Sequence, residues 1–167
     1  MELSKPERWI LSNQYRILEK SYPKNKKEFA QCRKIIENGY VLEYDNISMY
    51  IDDEMSVGEC KRVLDILSMH SALYLSAQKL RYKPKEKIIF RGFDGNNEPK
   101  QLGYARFYLD DLQRFLEIKK ITQSKDYNSH FPTSTLYGMM LDEWDKCENK
   151  YDLTKVEIDR ILNVHVK

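Results

Sequence analysis

SVGECKRVLDILSMHSALYLSAQKL, residues 56–80, is the stretch on which the fold turns. Ser56 stands three residues before Glu59, the spacing at which a hydroxyl and a carboxylate satisfy each other's free backbone N–H groups at a helix start. From there Cys60, Val63, Leu64, Leu67, Ser71 and Tyr74 recur in steps of three and four. Such a stripe, about six turns long, predicts the longest helix of the chain, running toward Leu80 at the centre of the fold.

Upstream, Ser4 with Glu7 repeats the capping pattern, and Leu11, Tyr15, Leu18 and Tyr22 continue at helical spacing until Pro23 stops the run. Asn25 followed by Glu28 opens a second helix with Phe29, Cys32, Ile35 and Ile36 on one side, and Asn38-Gly39 supplies a left-handed end. These two should pair antiparallel. Between Tyr40 and Asp53, the positions Leu42, Ile47, Tyr50 and Ile51 favour a short helix over a strand starting at Tyr40-Val41-Leu42.

Downstream, Pro84 and the turn signal Asp94-Gly95-Asn96-Asn97 mark an ordered crossover with one short apolar cluster, Ile88-Ile89-Phe90, suited to a buried extended piece. Leu102, Ala105, Leu109, Leu112 and Leu116 predict a helix from Glu98 to Lys119, and Gly103 within it suggests a close helix crossing. Thr122 to Phe131 is polar and reads as a surface loop. Past Pro132, Leu136, Met140, Trp144 and Cys147 form another amphipathic helix, and Thr154 with Glu157 caps a last one bearing Ile158, Ile161 and Leu162. With only six glycines and five prolines, the expectation is all-α: one multihelical domain over residues 1–167, of six or seven helices with a short extended crossover.

Composition narrows compartment and partners. The 28 Lys and Arg nearly cancel the 26 Asp and Glu, and a net charge of +2 excludes coating a polyanion as the sole function. No apolar run approaches the ~20 residues of a membrane span, so no membrane association is expected. Met1 to Ser12 lacks the apolar core of a secretory signal, which points to a cytoplasmic protein. Cys32, Cys60 and Cys147 lack CxxC spacing and lie on apolar stripes, as buried reduced thiols do, and His70, His130 and His165 are widely separated. No metal or cofactor is expected.

Several words in the chain carry a resemblance: Ile10-Leu11-Ser12-Asn13-Gln14-Tyr15, Ile35-Ile36-Glu37-Asn38-Gly39-Tyr40, Gly92-Phe93-Asp94, and Leu102-Gly103-Tyr104-Ala105-Arg106-Phe107. Asp65-Ile66, Met69, Ala72-Leu73 and the series Pro132, Tyr137, Met140, Leu141, Trp144, Cys147 add to it. In this order and spacing the chain resembles the YfbU family of bacterial proteins over nearly its whole length. That resemblance implies a cytoplasmic, mainly helical protein and assigns no reaction and no catalytic residue. The stretches 79–87 and 119–130 depart from the family pattern, so function carried by those loops does not transfer.

Three constellations remain as candidate sites. Lys79, Arg81, Lys83, Lys85, Lys87 and Arg91 set six cations against the single carboxylate Glu86. In an extended chain the positions from Lys79 to Lys87 share a face, where they would follow phosphates while Tyr82 stacks on a base; the plainer reading is a solvated helix end. Arg91, Asp94, Tyr104 and Arg106 form the second set, with Asp94 as a general base and the arginines holding an anionic substrate, against the simpler reading of Asp94 as a turn residue. The third is an interface. Tyr44, Met49, Tyr50 and Met55 sit in a weakly periodic segment that can hardly bury all its apolar groups within one chain, and Asn13 between Ile10 and Ile17 would set helix register across a contact. The leading expectation is therefore a self-associating interaction or regulatory protein, a homo-oligomer. The alternatives are nucleic-acid binding along the basic strip and an enzyme acting near Asp94.

Overall fold

A computed structural model describes residues 2–48, 51–84 and 87–164. The described chain is helical, with seven α-helices and no strands, as the all-α reading expects. Its contacts gather into two compact units, Met1–Glu54 and Met55–Lys167. Among the described residues no helix is long and apolar enough to cross a membrane.

The first unit is a helical hairpin. α1 (Lys5–Ser21) begins at the predicted capping box, where Glu7 Oε2 accepts the Ser4 N–H at 2.8 Å, and it ends just before Pro23. α2 (Lys26–Asn38) closes on Gly39, whose left-handed φ of 70° lets the N–H groups of Gly39 and Tyr40 both reach the Ile35 carbonyl. The pair is antiparallel: Tyr22 meets Phe29 near the turn, while at the far end Arg8 donates through Nε to the Ile36 carbonyl at 2.8 Å. Glu37 accepts from Arg16, Ser12 and Arg33, which together hold its carboxyl down to about 2. The following stretch is a 3-10 turn, Val41–Glu43, and a four-residue helix α3 (Tyr44–Ile47), so the short-helix reading holds over those positions.

The second unit is built around α4 (Val57–Lys79), the longest helix, entered through the Ser56–Glu59 box with Glu59 Oε2 accepting the Ser56 N–H at 2.8 Å. It packs against α5, α6, α7 and a 3-10 turn at Ile118–Lys120. Because neighbours enclose it on several sides, Val63, Ile66, Leu67, Met69, His70, Ala72, Leu73 and Ala77 are all buried. The predicted stripe was rotated: Cys60, Leu64, Ser71 and Tyr74 are only half-buried.

The crossover contains the expected extended piece, but its partner is the stretch read as a polar surface loop. Phe90 N–H donates to the Ile121 carbonyl and Gln123 N–H to the Phe90 carbonyl, while Phe93 N–H donates to Tyr127 and Ser129 N–H to Phe93. These form two isolated parallel bridges, Phe90 with Thr122 and Phe93 with Asn128. Tyr127 and Ser129 are buried, so 121–129 is a strap over the core rather than a solvated loop. A second correction concerns the helix drawn from Glu98 to Lys119. α5 (Pro99–Arg106) runs on as a π-helical turn, Phe107–Asp111, and stops there, because Gln113 and Phe115 take left-handed φ values of 51° and 52°. The chain thereby leaves Leu112 and Leu116 exposed. Gly103 makes no close crossing, since a Cβ there would meet nothing within 4 Å. α6 (Ser134–Trp144) buries Tyr137, Met140, Leu141 and Trp144, and α7 (Lys155–Leu162) starts at the predicted Thr154–Glu157 box.

His70 lies buried at the centre of this core. Its ring packs edge-on against Phe90 and Tyr137, with centroids 5.2 and 5.0 Å away. Nδ1 is 2.8 Å from the Ile66 carbonyl oxygen, which can only accept, so Nδ1 carries the hydrogen; Nε2 has no well-aligned partner among the described residues. Burial drives the imidazole down to about 4, a shift that the Ile66 and Ile89 carbonyls only partly oppose. A lowered histidine value means that the unfolded chain binds a proton the folded one refuses, so stability falls as pH drops from 6.5 toward 4. The expected loss is about 3 kcal/mol across that interval. Urea titrations at pH 7 and pH 4.5 check it: wild type should lose stability faster than a His70→Phe variant, and parallel losses would contradict the assignment.

Candidate functional site

The end of α4 and the start of the crossover line a concavity in the second unit. Arg81 takes a left-handed φ of 47°, so that its N–H reaches the Gln78 carbonyl and the Tyr82 N–H reaches Ala77. This is a Schellman stop with arginine where glycine is usual. It turns the chain sharply into residues 82–90, and the strap's Ile121, Thr122 and Gln123 are then held alongside by the Phe90 bridge. Between them lies a groove of about 610 Å³. Its cations are Lys83, Lys87 and Lys120; its apolar surface comes from Ala77, Pro84, Ile88 and Ile121; Tyr74 and Tyr82 add rings, and Gln78, Thr122 and Gln123 add hydrogen-bonding groups. No carboxylate occurs among its described lining residues.

The members of the basic strip have different fates. Lys79 leaves the strip through a two-oxygen contact with Asp152, at 2.7 and 2.8 Å. Tyr82 donates its hydroxyl to Asp159 at 2.5 Å, which raises its ionisation above the usual phenol value, and the Lys155 ammonium sits 5.4 Å from its ring centroid. One face of the ring is thus already occupied by a cation. Arg81 is exposed at the helix end, Lys83 and Lys87 are exposed at the groove, and Lys85 lies outside the described residues.

The Arg91, Asp94, Tyr104 and Arg106 set is dispersed among separate partners. Asp94 accepts from the Asn96 N–H at 3.1 Å and from the Asn97 side-chain amide, bonds that hold its carboxyl below the ordinary aspartate value. That is the behaviour of a turn aspartate. Arg106 Nε donates to the Asp126 carbonyl at 2.8 Å, and the Arg91 guanidinium lies 5.8 Å from the Phe131 ring centroid. Tyr104 packs against Phe107 and Tyr108, and its hydrogen bond to Tyr108 pushes its phenol up to about 12. Among the interface candidates, Tyr44 is buried, Met55 is half-buried against the core, and Met49 and Tyr50 lie outside the described residues. Exposed apolar groups in the same segment are instead Val41, Leu42 and Ile51.

Two residues that sequence reasoning passed over matter here. Lys120 joins the groove only through the strap pairing, for which the sequence carries no local signal. Glu98, buried to 6% exposure, accepts N–H groups from Asp94, Thr133 and Ser134 and so anchors both the crossover and the start of α6. Its place directly before Pro99 was the available hint, since proline favours the first turn of a helix.

The comparisons with known proteins cover the chain almost completely. The YfbU domain model matches residues 1–164. A UPF0304 protein, MJECS11, of Methanocaldococcus jannaschii is 40% identical over 169 residues, spanning 96% of this chain and 99% of that protein. Domain match and full-length relative agree with each other and with the ordered words of the sequence, and the chain therefore belongs to the YfbU family.

Proposed function

We propose that the protein works by association, as a cytoplasmic helical protein that pairs with a second copy of itself through apolar side chains of its first unit. The observation that carries this reading is the row on α1 in which Ile10 and Ile17, one heptad apart, are 57% and 56% exposed with exposed Asn13 between them. Trp9 beside them is 72% exposed. Scattered apolar residues on a surface are ordinary, but a row at heptad spacing with an amide in it has the pattern of a helix seam whose register is fixed by the polar group. Placing glutamate at both isoleucines, Ile10→Glu with Ile17→Glu, should shift the protein to monomer in sedimentation velocity while far-UV circular dichroism stays unchanged. An unaltered sedimentation coefficient would remove this surface from the account.

The second reading is nucleic-acid binding, favoured by exposed Lys83 and Lys87 standing beside Lys120. It predicts affinity that falls steeply with salt.

A further inference from the structure

We propose that the groove between the end of α4, the crossover and the strap binds a small amphipathic anion: one phosphate, sulfonate or carboxylate head on a compact apolar body. Three ammonium groups line the cavity with no carboxylate among the described lining residues, and no ion pair joins Lys83, Lys87 or Lys120 to a carboxylate among the described residues. The cations next to them in sequence or space are matched: Lys79 pairs with Asp152, and Lys119, adjacent to Lys120, pairs with Asp110 at 3.0 Å. Three like charges around one concavity repel each other, and an anion between them relieves that repulsion.

Size and surface define the rest of the ligand. At about 610 Å³ the groove falls within the several-hundred Å³ range of small-molecule sites. Ala77, Ile88 and Ile121 offer apolar contact to a body larger than a bare inorganic ion, while Gln78, Thr122 and Gln123 supply the few polar groups that orient a ligand. The surroundings of these lysines favour a small anion over the polynucleotide of the second reading. A track needs cations and free ring faces continuing along the chain, yet on the helix side Lys79 is held by Asp152, and Tyr82 is tied to Asp159 with Lys155 over its ring. Lys83, Lys87 and Lys120 line the one cavity, whereas exposed Arg81 at the helix end does not.

The probe is 8-anilinonaphthalene-1-sulfonate, an aromatic sulfonate, titrated by fluorescence into the full chain at low salt, with the uncharged N-phenyl-1-naphthylamine as its apolar match. The expected result is saturable one-to-one binding of the sulfonate, weakened by added salt, with much weaker binding of the uncharged dye. The Lys83→Glu, Lys87→Glu, Lys120→Glu triple variant should lose affinity on the order of a hundredfold, since three attractions become repulsions. All three lysines are exposed, so the variant should fold, and unchanged circular dichroism verifies that before titration. Equal binding of both dyes, or unchanged affinity in the triple variant, would overturn the proposal. So would a single-stranded oligonucleotide that binds more tightly than the sulfonate and is lost in the same variant, because the lysines would then serve a polynucleotide. The α1 glutamate variant should bind the dye like wild type, which separates this site from the association surface.

Discussion

Replacing Gly92 by alanine is expected to destabilise the second unit by more than about 4 kcal/mol, the range reached only by substitutions with a specific structural cause. Gly92 has φ of 81°, and a Cβ at its position would stand 1.8 Å from the Tyr127 carbonyl oxygen and 2.4 Å from the carbonyl carbon. Left-handed backbone alone costs alanine about 1–2 kcal/mol. The overlap is more serious because neither side can retreat. The same Tyr127 oxygen accepts the Phe93 N–H at 3.0 Å, and the Gly92 carbonyl accepts the Thr133 hydroxyl at 2.8 Å. Pushing the strap away breaks these bonds and uncovers Phe90, Phe93 and Tyr127, all buried in the core. Thermal unfolding followed by near-UV circular dichroism measures the effect. Gly103→Ala is the internal control, since its Cβ enters open space within a helix and should leave stability equal or up to about 1 kcal/mol higher. A Gly92→Ala protein within 1 kcal/mol of wild type, on the same rough scale, would mean the strap does not lie where it is described.

Glu98→Ala should come close behind, with an expected loss of about 3–5 kcal/mol. Its carboxylate accepts the Asp94 N–H at 2.9 Å, the Thr133 N–H at 3.0 Å and the Ser134 N–H at 2.7 Å. Two of these are orphan donors at the start of α6, whose N-cap residue Thr133 supplies no side-chain cap of its own. Alanine would leave buried N–H groups without acceptors, and loss of the negative charge removes a favourable interaction with the helix dipole. The carboxyl is itself informative. Burial pushes its ionisation upward, but the bonds from Ser134, Asp94 and Thr133 outweigh burial and leave it below the usual glutamate value. A lowered carboxyl stabilises the fold above the unfolded-state value of 4.5 and loses that contribution as pH falls below it. Wild type should therefore lose more stability than Glu98→Ala as pH falls below about 4.5, a difference separable from the His70 effect, which begins nearer pH 6.5. Denaturant titrations of the two proteins at pH 7 and pH 3.5 test both statements.

What was legible in the sequence was what neighbouring residues decide. All three capping boxes, at Ser4, Ser56 and Thr154, form as drawn, and the Gly39 stop takes the left-handed geometry its position required. Local rules failed where a contact crosses the chain. The strap's parallel pairing to Phe90 and Phe93 joins segments about thirty positions apart through backbone groups, which leave no trace in polarity, and its one aromatic anchor, Tyr127, is hidden in a polar run. The end of α5 was misplaced because Gln113 and Phe115 are not residues that announce left-handed backbone. Similarly, the strip was visible as a run of charge, yet the groove is not a property of that run. It needs Lys120 from the far side, and it excludes Lys79 because Asp152 reaches it first.

A chain that associates through its first unit has a mass that depends on concentration, which sedimentation equilibrium of the full chain measures. The reading predicts a weight-average mass that rises with concentration from the 20.0 kDa of one chain to at least twice that value. A mass fixed at 20.0 kDa up to high concentration would contradict it.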